Sequence, residues 1–279
     1  MTKRFILLLL LGLGLAGPLR AQPAADPPPD PACPRGDREL PRGPDWHCYG
    51  RLNKDYSFAF VYPKAVERVP ELDFLVRTEA AVAEAWIAEQ VLEAQLAGRE
   101  HDPMSYQAAW EIDAVLPEIA AASGTISYYT GGAHGGIEYK TILLDRRRGR
   151  TIALADLFAP GTFDHGLFGQ RGSGMRAVQA AFCRALAGAV RERRGDPAAA
   201  VECPAVEAQP VTLVCGALGR VEAFRTLLNP YIAGSWAEGP YEVEFPVDAL
   251  MMASMKRRFR PAFGVGGESR PRVPARPCR

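Results

Sequence analysis

The residues from 128 to 158 read YYTGGAHGGIEYKTILLDRRRGRTIALADLF, and this stretch decides the fold class. Within it, residues 137–145 alternate in polarity with the period of a β-strand, and the following DRRRG at 145–149 is typical of a tight turn. Residues 106–116 and 126–130 show the same period of two upstream. We therefore predict an antiparallel meander over residues 105–158.

Two segments with helical spacing flank this meander. Residues 72–97 are rich in Ala, Glu and Gln, and they carry an apolar stripe that includes Leu75, Val82 and Trp86. Residues 174–194 repeat apolar side chains at four-residue steps, and Ser173 is positioned to cap that helix. Further strands are predicted at 56–62, 211–214, 221–228 and 241–245, and a short helix is predicted from Asp248 onward. The fold class is α+β, with a mainly antiparallel sheet packed against two longer helices and a short C-terminal helix.

The N-terminus has the features of a bacterial secretory signal peptide. Lys3 and Arg4 precede an apolar run over residues 5–16, and the small residue Ala21 follows. This apolar run is shorter than the roughly 20 residues that a membrane-spanning helix needs, and no further such run follows it. We expect a periplasmic or secreted protein without an integral membrane anchor. The predicted organisation is a signal peptide at 1–21, a Pro-rich extended leader at 22–49, an N-terminal strand–helix subdomain at 50–104, a C-terminal α+β domain at 105–258 and a flexible tail at 259–279.

The cysteine content fits export. The chain has six cysteines, an even number, and disulfides are the default state in an oxidising compartment. We predict that Cys33 pairs with Cys48, because both flank the same Pro-rich entry, and the other pairings stay open. The candidates are Cys33, Cys48, Cys183, Cys203, Cys215 and Cys278. None of their spacings is CxxC, and the four histidines form no ligand pattern with them, so no metal site is expected.

Net charge excludes one class of partner. The chain carries +1 at pH 7, and removal of the three cations of the signal peptide leaves it close to neutral. No strong field therefore draws the protein to nucleic acid or to anionic lipid. We expect no nucleic-acid partner and, in the absence of a nucleotide-binding motif in the mature chain, no cofactor.

One block could carry chemistry. Glycines surround the single histidine of Gly131–Gly132–Ala133–His134–Gly135–Gly136, between two predicted strands. His134 could be a general base or a ligand contact, with Tyr128, Tyr129 or Tyr139 as partners. It could instead be structural, with the imidazole tied to neighbouring carbonyls, and we favour this interpretation because no nucleophile accompanies it. No catalytic residue is assigned. The candidate ligand-binding residues are His134, Gly132, Tyr129, Tyr128 and Tyr231.

Two blocks resemble a known family. Residues 128–158, and residues 229–250 with the sequence NPYIAGSWAEGPYEVEFPVDAL, resemble an envelope domain of unknown function found in the extracellular half of RsiV-type anti-sigma factors. Residues 56–97 are similar to the companion domain of PdaC-type peptidoglycan deacetylases. The resemblance covers most of residues 50–258. It implies an α+β module that recognises an envelope component, which in the anti-sigma branch is lysozyme.

The chain departs from both relatives, because it has neither the cytoplasmic segment and membrane helix of an anti-sigma factor nor a deacetylase domain. We therefore expect a non-catalytic exported envelope binding module, whose ligand is a lysozyme-type enzyme or peptidoglycan. Near-neutral charge gives no electrostatic support for a strongly basic partner. A cell-wall hydrolase that uses His134 and a structural envelope protein are the alternatives.

Overall fold

A computed structural model describes Leu40, Cys278 and residues 43–98, 102–159 and 173–266. The predicted signal peptide at 1–21 lies outside the described residues, as does most of the predicted leader. Across the described part, two sheets, two long helices and one short helix confirm the predicted α+β class.

A six-stranded sheet forms the first layer, and its strands follow one another in chain order. Strands β2 (Tyr56–Pro63) and β3 (Met104–Val115) pair in parallel, whereas every other neighbouring pair in this sheet is antiparallel. A parallel pair needs a long crossover, and the first long helix provides it. The predicted meander is confirmed as β3 to β6. The strands are β1 (Trp46–Leu52), β2 (Tyr56–Pro63), β3 (Met104–Val115), β4 (Ile119–Tyr129), β5 (Gly136–Asp145) and β6 (Arg150–Thr151).

Helix α1 (Pro70–Leu96) covers one face of this sheet. Its buried side runs through Leu72, Val76, Ile87 and Val91, which pack with large aromatic side chains of β2 and β3. The apolar stripe predicted for this helix is wrong at Val82, which is 55 % exposed. The reason is that α1 is apolar on both sides, so the sequence pattern alone did not select the inward face.

The second layer is a three-stranded antiparallel sheet with the other two helices. It packs on the opposite face of the first sheet, around the ends of β3 and β4. Its elements are α2 (Ser173–Arg194), β7 (Val211–Cys215), β8 (Val221–Leu228), β9 (Tyr241–Pro246) and α3 (Ala249–Ser254). Asp248 caps α3 by accepting the Met251 N–H at 2.7 Å. Ser173 is the first helical residue of α2, and its hydroxyl lies 3.0 Å from that of Ser254.

Short 3-10 helices complete the described chain. One of them lies within the predicted meander at 105–158, where β6 ends at Thr151. The chain then turns into the 3-10 helix Leu154–Leu157, where the Asp156 carboxylate accepts the Ala153 N–H at 3.1 Å. The others are Lys64–Arg68, Val206–Ala208, Trp236–Glu238 and Arg260–Ala262.

Several predicted boundaries fall inside these elements. Strand β1 begins at Trp46, within the predicted leader, and the boundary at 104/105 lies inside β3 of the first sheet. The predicted tail opens with Phe259 and Phe263, and both side chains are fully buried in the second layer. Aromatic side chains of this size bury much apolar surface, which holds residues 259–263 on the fold.

Two disulfides link described cysteines, Cys183 with Cys203 and Cys215 with Cys278. The predicted pair Cys33–Cys48 includes Cys33, which lies outside the described residues. Disulfides are characteristic of proteins in oxidising compartments. Among the described residues, no helix is both long enough and apolar enough to cross a lipid bilayer.

Candidate functional site

The glycine-rich block at residues 131–136, which contains His134, lies in the connection between β4 and β5. It is beside the connection between β8 and β9. The amide side chain of Asn229 joins the two, because its Oδ1 accepts the Tyr139 N–H of β5 at 2.8 Å. This bond links positions that are 90 residues apart in the chain. Residues 229–240 are therefore held over the end of the first sheet.

Three aromatic side chains stack where the two connections meet. The ring of His134 lies 4.4 Å from that of Trp236, with an angle of 22° between the planes. Tyr231 stacks on Trp236 at 6.1 Å and 30°. Trp236 is half-buried, His134 is exposed, and Tyr231 is 64 % exposed. We call Tyr231, Trp236 and His134 the aromatic platform.

A cleft of about 260 Å³ opens beside the aromatic platform. Its walls combine hydroxyl and amide groups with aromatic rings, and no carboxylate, thiol or cationic side chain lines it in the described chain. The floor comes from neighbouring strands of the first sheet, on the face opposite α1. The lining residues are Ser105, Gln107, Ser127, Tyr128, Tyr129, Gly135, Gly136, Ile137 and Trp236.

The glycines of the block are required by close packing against Tyr128. A Cβ on Gly135 would lie 2.8 Å from the Tyr128 carbonyl oxygen. A Cβ on Gly136 would overlap the ring of Tyr128, which itself packs edge-on against Trp86 of α1 at 5.3 Å. The chain can therefore return along β4 only because these positions lack side chains.

The C-terminal end of α2 fixes the segment that carries Trp236. Arg193 donates to the carbonyl oxygens of Glu238 and Pro240 at 2.8 and 2.7 Å. Arg194 donates to the Glu238 carboxylate at 3.0 Å, and the Tyr241 hydroxyl donates to it at 2.6 Å. These donors, with the Ser235 N–H, lower the pKa of Glu238 to about 2. The carboxylate stays ionised and keeps the segment closed on α2.

The backbone at Tyr231 is unusual. Its φ is +72°, and it is the only residue other than glycine with a positive φ among the described residues. A bulky side chain in this region carries a conformational cost, which surrounding contacts must offset. Such strain is concentrated at binding sites, and here it directs an exposed tyrosine onto Trp236.

The candidate residues predicted from sequence meet at this site. Tyr128 and Tyr129 line the cleft, His134 and Tyr231 flank Trp236, and Gly132 is exposed in the same turn as His134. The predictions missed Trp236 and the polar floor from Ser105, Gln107 and Ser127. The signal for Trp236 was its place in the conspicuous block at 229–250. The floor residues gave no signal beyond strand periodicity.

His134 differs from its predicted structural role. That role required a buried imidazole tied to neighbouring carbonyls, whereas the side chain is exposed. It makes one such bond, from Nδ1 to the carbonyl oxygen of the adjacent Gly135 at 2.9 Å. With the proton on Nδ1, the neutral ring presents Nε2 as an acceptor. Across the described residues, no group of three or more His, Cys, Asp or Glu side chains could hold a metal ion.

One carboxyl that is only partly accessible to solvent lies away from the cleft, between the two sheets. Asp113 of β3 accepts the Thr212 hydroxyl of β7 at 2.7 Å and the Ser123 hydroxyl of β4 at 3.2 Å. Burial raises its pKa from 3.8 to about 7, although both hydrogen bonds and Arg225 act in the opposite direction. Desolvation of the charged form therefore outweighs the hydrogen bonds.

No family model matches the chain, and no curated protein matches it either. The solved structures that are similar to this chain include two DUF3298 family proteins. One is a DUF3298 family protein from Pseudomonas aeruginosa PAO1, with 16 % identity, a TM-score of 0.48, and coverage of 83 % of this chain and 99 % of that one. The other is a DUF3298 family member from Bacteroides fragilis NCTC 9343, with 13 % identity, a TM-score of 0.47, and coverage of 78 % and 96 %.

Both neighbours carry the designation of a domain of unknown function, and neither is described as catalytic. The comparisons do not show the resemblance to RsiV-type anti-sigma factors or to PdaC-type deacetylases. At this level of similarity, function has to be argued from the aromatic platform and the cleft themselves.

Proposed function

We propose that the protein is an exported, non-catalytic binding module of the bacterial envelope, and that its ligand is an envelope glycan such as peptidoglycan. The observation that carries the proposal is the aromatic platform beside a cleft lined by hydroxyl and amide groups. The flat apolar faces of sugar rings stack on aromatic side chains, and sugar hydroxyls exchange hydrogen bonds with polar groups placed around them. Export rests on the predicted signal peptide, and the two disulfides support it.

The composition of the cleft favours binding over hydrolysis. Hydrolysis of a glycosidic bond uses two carboxyl groups on opposite sides of the scissile bond. None of the described lining residues is an Asp or a Glu. Glu238 lies nearest in sequence to Trp236, but its carboxylate is engaged by Arg194 and Tyr241. A hydrolase acting through His134 would lack its second group here.

The alternative ligand is a lysozyme-type enzyme, as the resemblance implied. Exposed Tyr and Trp side chains also serve as anchors in protein interfaces. However, lysozyme-type enzymes are strongly basic, and the cleft offers them no carboxylate. A glycan can form hydrogen bonds with the uncharged floor of the cleft and also stack on the rings of the aromatic platform. It therefore explains more features of the site than a basic protein does.

The decisive variant is Trp236→Ala. Affinity for solubilised peptidoglycan fragments should fall by at least about tenfold, the size typical of a central aromatic anchor, when measured by isothermal titration calorimetry. The matched control is Ile232→Ala, because Ile232 is 43 % exposed in the same segment and makes no ring stack. Its affinity should match that of wild type.

Three outcomes would contradict the proposal. If wild type had no measurable affinity for the fragments, the glycan would not be the ligand. If wild type bound lysozyme and Trp236→Ala did not, the ligand of this site would be the protein instead. Equal losses in Trp236→Ala and Ile232→Ala would place the effect in the segment rather than in the ring.

The variant His134→Ala is a second experimental test of the same site. Because the imidazole is exposed, its removal should change the free energy of unfolding by less than about 0.5 kcal/mol while weakening fragment binding. A marked loss of stability with intact fragment binding would mean that His134 has a structural role and does not contribute to binding.

A further inference from the structure

We infer that the outward face of α1 is a self-association surface, through which two copies of this chain pair as an antiparallel helix dimer. The surface consists of the exposed apolar residues Phe74, Ala81, Val82, Ala85, Leu92 and Leu96, with the exposed Thr78 and Glu89 among them, and we call it the α1 outer face. Four of these are large apolar residues with exposed fractions of 68 % for Phe74, 55 % for Val82, 54 % for Leu92 and 79 % for Leu96. The inference is independent of the glycan site, which lies on the other side of the sheet.

The α1 outer face is unusual within this protein. A surface helix ordinarily exposes charged side chains on the side away from the core. Helix α2 follows that rule, with Arg176, Arg184 and Arg191 exposed along its length. Helix α1 exposes Glu71, Glu89 and Glu93, but it also has large apolar residues facing both the sheet and the outside. A helix that is apolar on both sides is normally covered on both sides.

The order of residue sizes along the α1 outer face fits a crossing helix. Small side chains, Ala81 and Ala85, occupy the middle, where two crossing helices approach most closely. Phe74 stands near one end and Leu96 near the other, where the axes diverge and larger side chains are needed to fill the gap. An antiparallel copy related by a two-fold axis at Ala85 would place Phe74 against Leu96, so the face is complementary to itself.

The charges beside this face favour a second copy over a membrane surface. Three carboxylates that flank the face are paired within the chain: Glu84 with Arg51 at 2.7 Å, Glu79 with Lys140 at 2.9 Å and Asp73 with Arg77 at 3.8 Å. Helices that lie on anionic lipid present several Lys and Arg side chains on their polar side. Helix α1 has Arg77 as its single cationic residue and six acidic ones, so it does not suit anionic lipid.

The dimensions indicate a weak, reversible dimer. Helix α1 has 27 residues and is therefore about 40 Å long. A strip about 10 Å wide along it offers roughly 400 Å² per copy, or about 800 Å² in the pair. That area lies in the range of transient complexes rather than of permanent ones. Dimers should form at micromolar concentrations and above.

Sedimentation velocity of the full chain freed of the predicted signal peptide tests this directly. Between about 1 and 300 µM, the weight-average mass of wild type should rise towards twice the monomer value. Ala85→Arg should stay monomeric over the whole range with an unchanged thermal melt. Ala180→Arg is the control, because Ala180 is also exposed but lies on α2, and this variant should dimerise as wild type does.

Cross-linking tests the two-fold axis. Ala85→Cys should form an inter-chain disulfide, because residues on the axis lie within about 7 Å of their own copies. Phe74→Cys should not, because its copies would be about 30 Å apart. Monomeric wild type at all concentrations, a dimer that survives Ala85→Arg, or efficient cross-linking of Phe74→Cys would each overturn the inference.

Discussion

Replacing Asp113 with asparagine should remove a pH-dependent destabilisation of the fold. The folded state raises the pKa of this carboxyl from 3.8 to about 7, because the group is buried between the two sheets. Between these two values the folded chain keeps a proton that the unfolded chain has released. Stability from this group is therefore complete below about pH 4 and falls as the pH rises to 7. At about 1.4 kcal/mol per unit, the full loss is about 4 kcal/mol.

The measurement is the free energy of unfolding in urea, followed by tryptophan fluorescence, for wild type and Asp113→Asn at pH 5 and pH 8. Asparagine stays neutral and still accepts a hydrogen bond from Thr212 or Ser123. The stability difference between the two proteins should shift by about 3 kcal/mol in favour of Asp113→Asn between pH 5 and pH 8.

Glu202→Gln is the control for this experiment, because Glu202 is exposed and its removal should leave the pH profile of wild type unchanged. Other carboxyl groups, such as Glu238, act equally in wild type and in Asp113→Asn, so the comparison cancels them. If the unfolding free energies of wild type and Asp113→Asn changed in parallel from pH 5 to pH 8, the reasoning would be refuted. Such a result would mean that ionisation of Asp113 in the folded state costs little free energy.

Two further perturbations follow from the same structure. Replacing both cysteines of the Cys215–Cys278 pair with serine should cost about 4 kcal/mol of unfolding free energy, against about 3 kcal/mol for the Cys183–Cys203 pair, because the first closes a loop of 63 residues and the second one of 20. Urea denaturation decides the order, and a larger loss for the shorter loop would contradict it. Gly136→Ala should lower stability by about 1 to 3 kcal/mol, because its Cβ would overlap the ring of Tyr128. Gly188→Ala, exposed in α2 with open space around it, should raise stability by about 0.5 to 1 kcal/mol, and thermal melts that rank the two variants the other way would be inconsistent with this packing.

Local patterns were enough to predict most elements. Strand β8 was predicted with the bounds that the structure has, because it contains Val221, Phe224 and Thr226, which favour strands, and lies between Gly219 and the Asn229–Pro230 turn signal. The start of β4 was missed because Ala120, Ala121 and Ala122 have low strand propensity, yet all three are fully buried. Small side chains suit a strand that is buried on both faces of its sheet. No local pattern in the sequence indicates that β4 is buried on both faces.

The assembly of the site depends on contacts that local patterns do not encode. His134 and Tyr231 were identified separately, but their common neighbour Trp236 is 102 residues beyond His134 and was not selected. The bond between Asn229 and Tyr139 brings the two connections together, and nothing near either residue in the chain specifies it. The parallel pairing of β2 with β3 and the division into two sheets have the same non-local origin.

The Cys215–Cys278 disulfide also determines what a protease could release. The residues between these cysteines include β8, β9, α3 and the exposed segment with Tyr231. Cys278 is further held on β3, because its carbonyl oxygen accepts the Val115 N–H at 3.0 Å. A single cut beside Tyr231 would break the chain but leave both fragments covalently joined. The two pieces would migrate as one species until a reductant separated them, so the protein would stay in one piece after a nick at this exposed segment.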